Sequence, residues 1–171
     1  CLGTLILPPF FYKNVEEEGV IAFYREIIVR VNDPNLKIIL YHIPQYSGVP
    51  ITLNVIQRLV EEFPDTILGI KDSEGNFSFI QDILTKFPGF NVFVGRELQI
   101  SDAVQLGAIG AISGIANAYP ELICSLYEYG KDQRKPNRSL ELKDLIQILK
   151  DYPLFPALKN LIEQSKGSQW H

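Results

Sequence analysis

The chain has 171 residues, 46 % of them hydrophobic, and a net charge of −4 at pH 7. That much apolar material excludes a disordered chain, and the near balance of charge excludes a general nucleic-acid or membrane-surface binder. No run approaches the roughly 18 apolar residues of a membrane span and no signal peptide is visible, so a cytoplasmic protein of one domain, or part of one, is expected.

Leu2 to Leu7 reads as an apolar strand, ended by Pro8-Pro9. Val20, Phe23, Tyr24, Ile27, Ile28 and Val31 then recur at helical spacing behind an acidic first turn of Glu16, Glu17 and Glu18, and Asn32-Asp33-Pro34 stops that helix. Lys37 to Tyr41 is the second strand, followed by the loop His42 to Gly48. Thr52 is placed to cap a helix carrying Leu53, Ile56, Leu59, Val60 and Phe63.

The third strand, Thr66 to Lys71, leads into Asp72-Ser73. Asn76 starts a helix with Ile80, Ile83, Leu84 and Phe87 on one face, ended by Pro88-Gly89. Asn91 to Gly95 is a strand, 98–106 a short helix, and Ala108 to Gly114 a fifth, glycine-rich strand. Pro120 fits the first turn of a helix running to about Tyr129, and two further helices are expected over Ser139 to Lys150 and Pro153 to Glu163.

Five strands alternating with amphipathic helices imply a parallel sheet with right-handed crossovers, either open and doubly wound or a closed barrel. No Gly-x-Gly-x-x-Gly turn follows any strand, which weakens the dinucleotide-binding version of the open sheet. In a barrel, reactive residues sit at the carboxyl ends of several strands, and Tyr41, Lys71, Gly95 and Ser113 all fall at such ends. A closed barrel needs eight strands. With five, and with no methionine in the chain, the expectation is a piece of a longer polypeptide.

Lys71 is the residue with the most to say. At the end of a buried strand its ammonium is costly to desolvate, and a pKa brought from about 10.4 to roughly 7–8 would raise the neutral, nucleophilic fraction a few hundred-fold at pH 7. Such an amine adds to a ketone, loses water and leaves an electron-withdrawing iminium. On spacing alone Lys71 is equally a strand-end lysine whose head reaches water, and Tyr41 a packed strand-end tyrosine. Cys1 and Cys124 form no framework pattern, and Cys124 reads as a buried thiol. Lys131, Arg134, Lys135 and Arg138 read as a solvated basic loop. His42 and His171 belong to no triad or metal spacing and read as structural; no metal ligand cluster is visible.

With Tyr41-His42-Ile43-Pro44 and Gly69-Ile70-Lys71-Asp72-Ser73 thirty residues apart, the chain resembles the dihydrodipicolinate synthase/N-acetylneuraminate lyase family of pyruvate-dependent class I aldolases. Leu7-Pro8-Pro9-Phe10-Phe11 and Gly110-Ala111-Ile112-Ser113 support the likeness. The resemblance implies a (β/α)8 TIM barrel, present here as a C-terminal portion. Residues 1–130 would match the family's fourth to eighth strands, and 131–171 would form a helical extension. It implies Lys71 as the Schiff-base lysine and Tyr41 as the proton-shuttling phenol. Ser73, Ile112, Gly95 and Glu97 would contact substrate, with no cofactor and no metal. The implied partners are pyruvate or a related 2-keto acid and an aldehyde, with no nucleic acid or membrane, in a homo-oligomer of tetramer type.

Two positions depart from the synthases proper. Phe11, with Tyr12 one place off, stands where they carry a relay tyrosine, and Tyr46 where they carry an arginine that grips the aldehyde's carboxylate. A Schiff-base lyase or aldolase acting on another 2-keto acid therefore fits better, although the piece alone is expected to be inactive. The alternatives are a true 4-hydroxy-tetrahydrodipicolinate synthase despite both departures, and a catalytically dead α/β scaffold or binding module.

Overall fold

The apolar runs of the sequence pair side by side in the order in which they occur. The computed structural model describes residues 3–166. In it β1 (Thr4–Ile6), β2 (Ile38–His42), β3 (Ile67–Asp72), β4 (Asn91–Val94) and β5 (Gly110–Ala111) form one all-parallel sheet ordered β1-β2-β3-β4-β5. A doubly wound sheet reverses its winding at a switch point and carries helices on both faces. A sheet that always steps the same way through right-handed crossovers puts its crossover helices on one face. The strand order is therefore that of a (β/α) barrel wall.

The helices are α1 (Glu17–Val31), α2 (Pro44–Ser47), α3 (Leu53–Glu62), α4 (Phe77–Lys86), α5 (Ile100–Gln105), α6 (Pro120–Lys131), α7 (Ser139–Leu149) and α8 (Leu154–Lys166). α1 ends because Asn32 takes the left-handed conformation, φ 49°, and returns its N–H to the Ile28 carbonyl. α3 starts where expected: the Thr52 hydroxyl accepts the Val55 amide at 3.2 Å.

Register decides which residues share a face. Ile38, Leu40, Ile70, Val92 and Val94 turn toward the helices and are fully buried against Val20, Ile21, Ile56, Leu59, Ile80, Ile83 and Ile100. Each such side chain contributes about 1.5–3 kcal/mol. Their strand neighbours turn the other way and form two rows, Ile39–Gly69–Asn91 and Tyr41–Lys71–Phe93–Gly110, which stay partly exposed apart from buried Gly69. Gly69 has to be glycine there, since a Cβ would fall 2.2 Å from the Asn91 carbonyl oxygen.

Several expectations are adjusted. Leu2 lies outside the described residues. The fifth strand shrinks from 108–114 to Gly110–Ala111; its ladder continues only as single bonds from the Ile109 and Ile112 amides to the Val92 and Val94 carbonyls. The helix expected over 98–106 splits into a 3-10 turn, Glu97–Gln99, and α5. Cys124 is exposed, because on α6 the buried stripe falls on Leu122, Ile123 and Leu126. α2 and a second 3-10 turn, Ile115–Asn117, were not foreseen. α7 packs on the Glu97–Gln99 turn and α8 on the Ile115–Asn117 turn, so both fold back over the carboxyl ends of the last strands. Among the described residues no helix is long and apolar enough to cross a membrane.

Candidate active site

Tyr41 and Lys71 are register partners on adjacent strands, one residue before each strand ends. The Lys71 Nζ donates to the Tyr41 hydroxyl at 3.0 Å and stands 4.1 Å from the centre of its ring. Lys71 is partly buried, on the face away from the helices. Its other register partner is Phe93. One amine thus lies between a phenol and a phenyl ring, in a row that ends in a glycine.

The remaining expected residues gather at the same end of the sheet. Ser73 continues β3, its amide donating to the His42 carbonyl at 2.8 Å. Gly95 follows β4 and packs directly on it: its amide donates to the Asp72 carbonyl at 2.6 Å, and a Cβ would lie 2.1 Å from the Ser73 Oγ. Glu97 accepts a hydrogen bond from the Ser113 hydroxyl at 2.7 Å. Ile112 uses its amide on the Val94 carbonyl at 3.0 Å, so that N–H is not free to face a substrate.

The loop after β3 is fixed from both sides. Gln45, on α2, donates to the Ser73 carbonyl at 2.7 Å, while Gln99 and Arg96 donate to the carbonyls of Gly75 and Glu74. Lys13, which nothing in the sequence marked, donates to the carbonyls of Phe10 and Ser47 at 2.6 and 2.7 Å and straps the loop after β1 to α2. Phe11 and Tyr46 are 81 % and 78 % exposed.

A cavity of about 170 Å³ beside the Tyr41 ring is walled by Leu7, Phe10, Ile43, Tyr46 and Ser47. A larger cleft of about 720 Å³ runs from Tyr46 past Glu74, Arg96 and Glu97 to α7 and α8. Lys71 lines neither; it stands, partly buried, on the face of the sheet away from the helices.

Behind the Tyr41–Lys71 pair, one residue on and facing the helices, lies a second register pair, His42 and Asp72. The sequence reading took His42 as structural, and it missed this grouping because His42 lies thirty residues from Asp72 and thirty-two from Glu74. His42, Asp72 and Glu74 bring one ligand-type atom each within 4.8 Å of one another. The His42 Nε2 is 3.4 Å from Glu74 Oε2 and 3.9 Å from Asp72 Oδ1. Its Nδ1 accepts the Ile51 amide at 3.0 Å, so the neutral ring carries its proton on Nε2, aimed at the two carboxylates. A cation at Nε2 would have to displace that proton and leave an imidazolate, which disfavours a metal; ligating histidines normally donate through their other nitrogen.

Asp72 is fully buried and neither carboxylate oxygen has a hydrogen-bond partner. Burial pushes it up to about 6, helped by the Glu74 charge; backbone groups of Glu74 and Gly75 and the Arg96 charge oppose this, although neither backbone group reaches normal hydrogen-bond geometry. Burial drives His42 the other way, below its ordinary value, against the opposing hydrogen bond and charge of Glu74.

Comparison with known proteins agrees with this arrangement. Residues 1–167 match the model of the dihydrodipicolinate synthetase family. The chain is 32 % identical over 159 residues to an uncharacterized DapA-like lyase of Chloroflexus aurantiacus, covering 91 % of this chain and 53 % of the relative. It is 29 % identical over 151 residues to a 4-hydroxy-tetrahydrodipicolinate synthase of Clostridium novyi, covering 86 % and 49 %. Among solved structures, dihydrodipicolinate synthase from Agrobacterium tumefaciens superposes with a TM-score of 0.86 at 29 % identity, over 98 % of this chain and 56 % of that one. CdNal from Clostridium difficile, solved with mannosamine, gives 0.83 at 26 %, over 96 % and 56 %. The chain thus spans about half the length of the relatives it matches.

Proposed function

The chain belongs to the dihydrodipicolinate synthetase family, and from that premise we propose that it supplies the lysine half of a Schiff-base carbon–carbon lyase or synthase acting on pyruvate or a related 2-keto acid. The observation that carries this reading is the 3.0 Å contact between the Lys71 amine and the Tyr41 hydroxyl. In the proposed reaction the neutral amine adds to the keto carbon. Tyr41 returns a proton to the departing hydroxyl, water leaves, and the iminium draws electrons from the adjacent carbon. That carbon then loses a proton, or a bond to it breaks, giving an enamine that an aldehyde can capture. Ser73, Gly95 and Glu97, with the Ile112 backbone, are assigned to the substrate side.

The 720 Å³ cleft beyond Glu97 gives the aldehyde portion room. Tyr46 lacks the charge of the synthases' arginine and Phe11 the hydroxyl of their relay tyrosine, which supports a lyase or aldolase over dihydrodipicolinate synthesis. The extension expected over 131–171 is assigned as helical in its described part, through α7 and α8 to Lys166. The reading carries with it a cytoplasmic homo-tetramer, for which exposed Phe10, Phe11, Tyr12 and Phe155 offer apolar contact surface; solution mass tests it.

Borohydride added with pyruvate to the full-length protein should reduce an imine and leave a covalent label on Lys71, read by peptide mass. A folded sample with no label at that residue would refute the proposal. Turnover of aspartate semialdehyde in the same sample would restore the synthase reading.

A further inference from the structure

We propose that His42, Asp72 and Glu74 form a proton-holding clamp behind the sheet, which positions Lys71 against Tyr41 by fixing the ends of β2 and β3. The functional half of this inference rests on the Schiff-base reading above; the structural half does not.

The clamp sits on the same two strands as the reactive pair, one residue further along and on the opposite face. It contains one donor, the His42 Nε2–H, and two carboxylates, one of them fully buried without a partner. One N–H cannot satisfy two anions. A single added proton on Asp72 supplies the missing donor, since the Asp72 hydroxyl can then reach toward Glu74 while His42 keeps its own hydrogen. His42 cannot take that proton itself without turning an N–H against the Ile51 amide.

The surroundings offer only backbone groups of Glu74 and Gly75, outside normal hydrogen-bond geometry. Phe79 of α4 stacks on the His42 ring at 4.7 Å, and the β4 register partner of Asp72 is Val94. The charged groups acting on Asp72 are Glu74, which favours the proton, and Arg96, which opposes it. The strand ends that the clamp would hold are tied across by the bond from the Ser73 amide to the His42 carbonyl. With the proton bound, Asp72 and His42 both offer a hydrogen to Glu74 and the two strand ends meet on one acceptor; with it lost, two carboxylates share the single His42 N–H and repel each other, which loosens that hold.

Asp72→Asn keeps the shape and carries a permanent donor, so it fixes the clamp in its proton-bound form. Three readouts follow in the wild type and this variant. The wild-type Tm should fall as pH rises from 4 to 7, and the variant should lose that fall. The protection factor of the Ser73 amide in hydrogen exchange should drop several-fold above pH 6 in the wild type only. The ratio of borohydride trapping rates at Lys71, variant over wild type, should be near one at pH 5 and rise at least threefold by pH 7.5.

Glu74→Gln, at a partly exposed position, guards against a variant that fails to fold: it should move the wild-type Tm inflection to lower pH. Parallel Tm profiles, or an inflection unmoved by Glu74→Gln, would overturn the clamp. A flat trapping ratio, or Ser73 protection that follows the same course in both proteins, would overturn its positioning role. Absence of any trapping in the wild type overturns the Schiff-base reading instead, and Tm and Ser73 protection then decide the clamp by themselves.

Discussion

Tyr41 and His42 are consecutive residues, as are Lys71 and Asp72, yet the two register pairs they form meet opposite surroundings. The first lies partly buried beside a phenyl ring and a glycine, away from the helices; the second faces apolar helices and is almost fully buried. On the face away from the helices the side chains keep some exposure, so a polar contact there costs less than in the core. On the helix face every polar atom must find a partner, and each imbalance becomes a matter of stability. Alternation of side chains along a strand thus separates chemistry from cohesion within a single residue step.

The largest test of that separation is Lys71→Arg. An arginine keeps the charge and cannot become a nucleophilic amine, so labelling by pyruvate and borohydride should vanish. The Tm should move by no more than a surface substitution allows, about 0.5 kcal/mol in stability. Tyr41→Phe removes only the hydroxyl that Lys71 contacts, and single-turnover trapping should slow about 10²- to 10⁴-fold, the usual worth of a positioned proton donor.

Leu40→Ala, one residue away and facing the helices, should do the reverse. It should cost about 2–5 kcal/mol in urea unfolding while leaving the folded fraction able to trap the keto acid. Equal loss of trapping in the folded fraction would dissolve the contrast between the faces.

A pH effect of about 3 kcal/mol comes next. Asp72 binds a proton more tightly folded, titrating at about 6, than its ordinary 3.8, so its contribution favours folding in acid, declines as pH rises through that window and is flat above it. His42, lowered by burial, contributes in the opposite sense, its part lost as pH falls below its ordinary 6.5. Chemical denaturation at pH 4, 5, 6 and 7 with Asp72→Asn as reference separates the two. The smallest effect, about 1 kcal/mol, belongs to Thr52→Ala, which removes the cap of α3 and touches neither row.

Much of this was legible in the sequence. Helix-period and strand-period runs located α1, α3, α4, α6, α7 and α8 and the strands, and Lys71 and Tyr41 stood out because each follows an apolar run. Their roles remain the proposal made above. What was not legible depended on contacts without a local pattern. α2 is four residues long, too short for periodicity to register. The His42–Asp72–Glu74 group exists only because β2 and β3 pair in this register, and Asp72 looked like the polar end of a strand rather than a buried acid. Cys124 misled because its neighbours are apolar while the helix turns it outward.

Lys13 has a consequence of its own for the wall of the cavity beside Tyr41. Its ammonium holds the loop after β1 to α2 through backbone carbonyl oxygens, and among the described residues it forms no ion pair with a carboxylate. Salt weakens attraction between two exposed charges far more than a short-range bond from a cation to a dipole. An exposed pair such as Arg25 and Glu62 should relax as ionic strength climbs, whereas this latch should keep its grip. The link between Phe10 and Ser47 in the wall of that cavity should then persist at high salt.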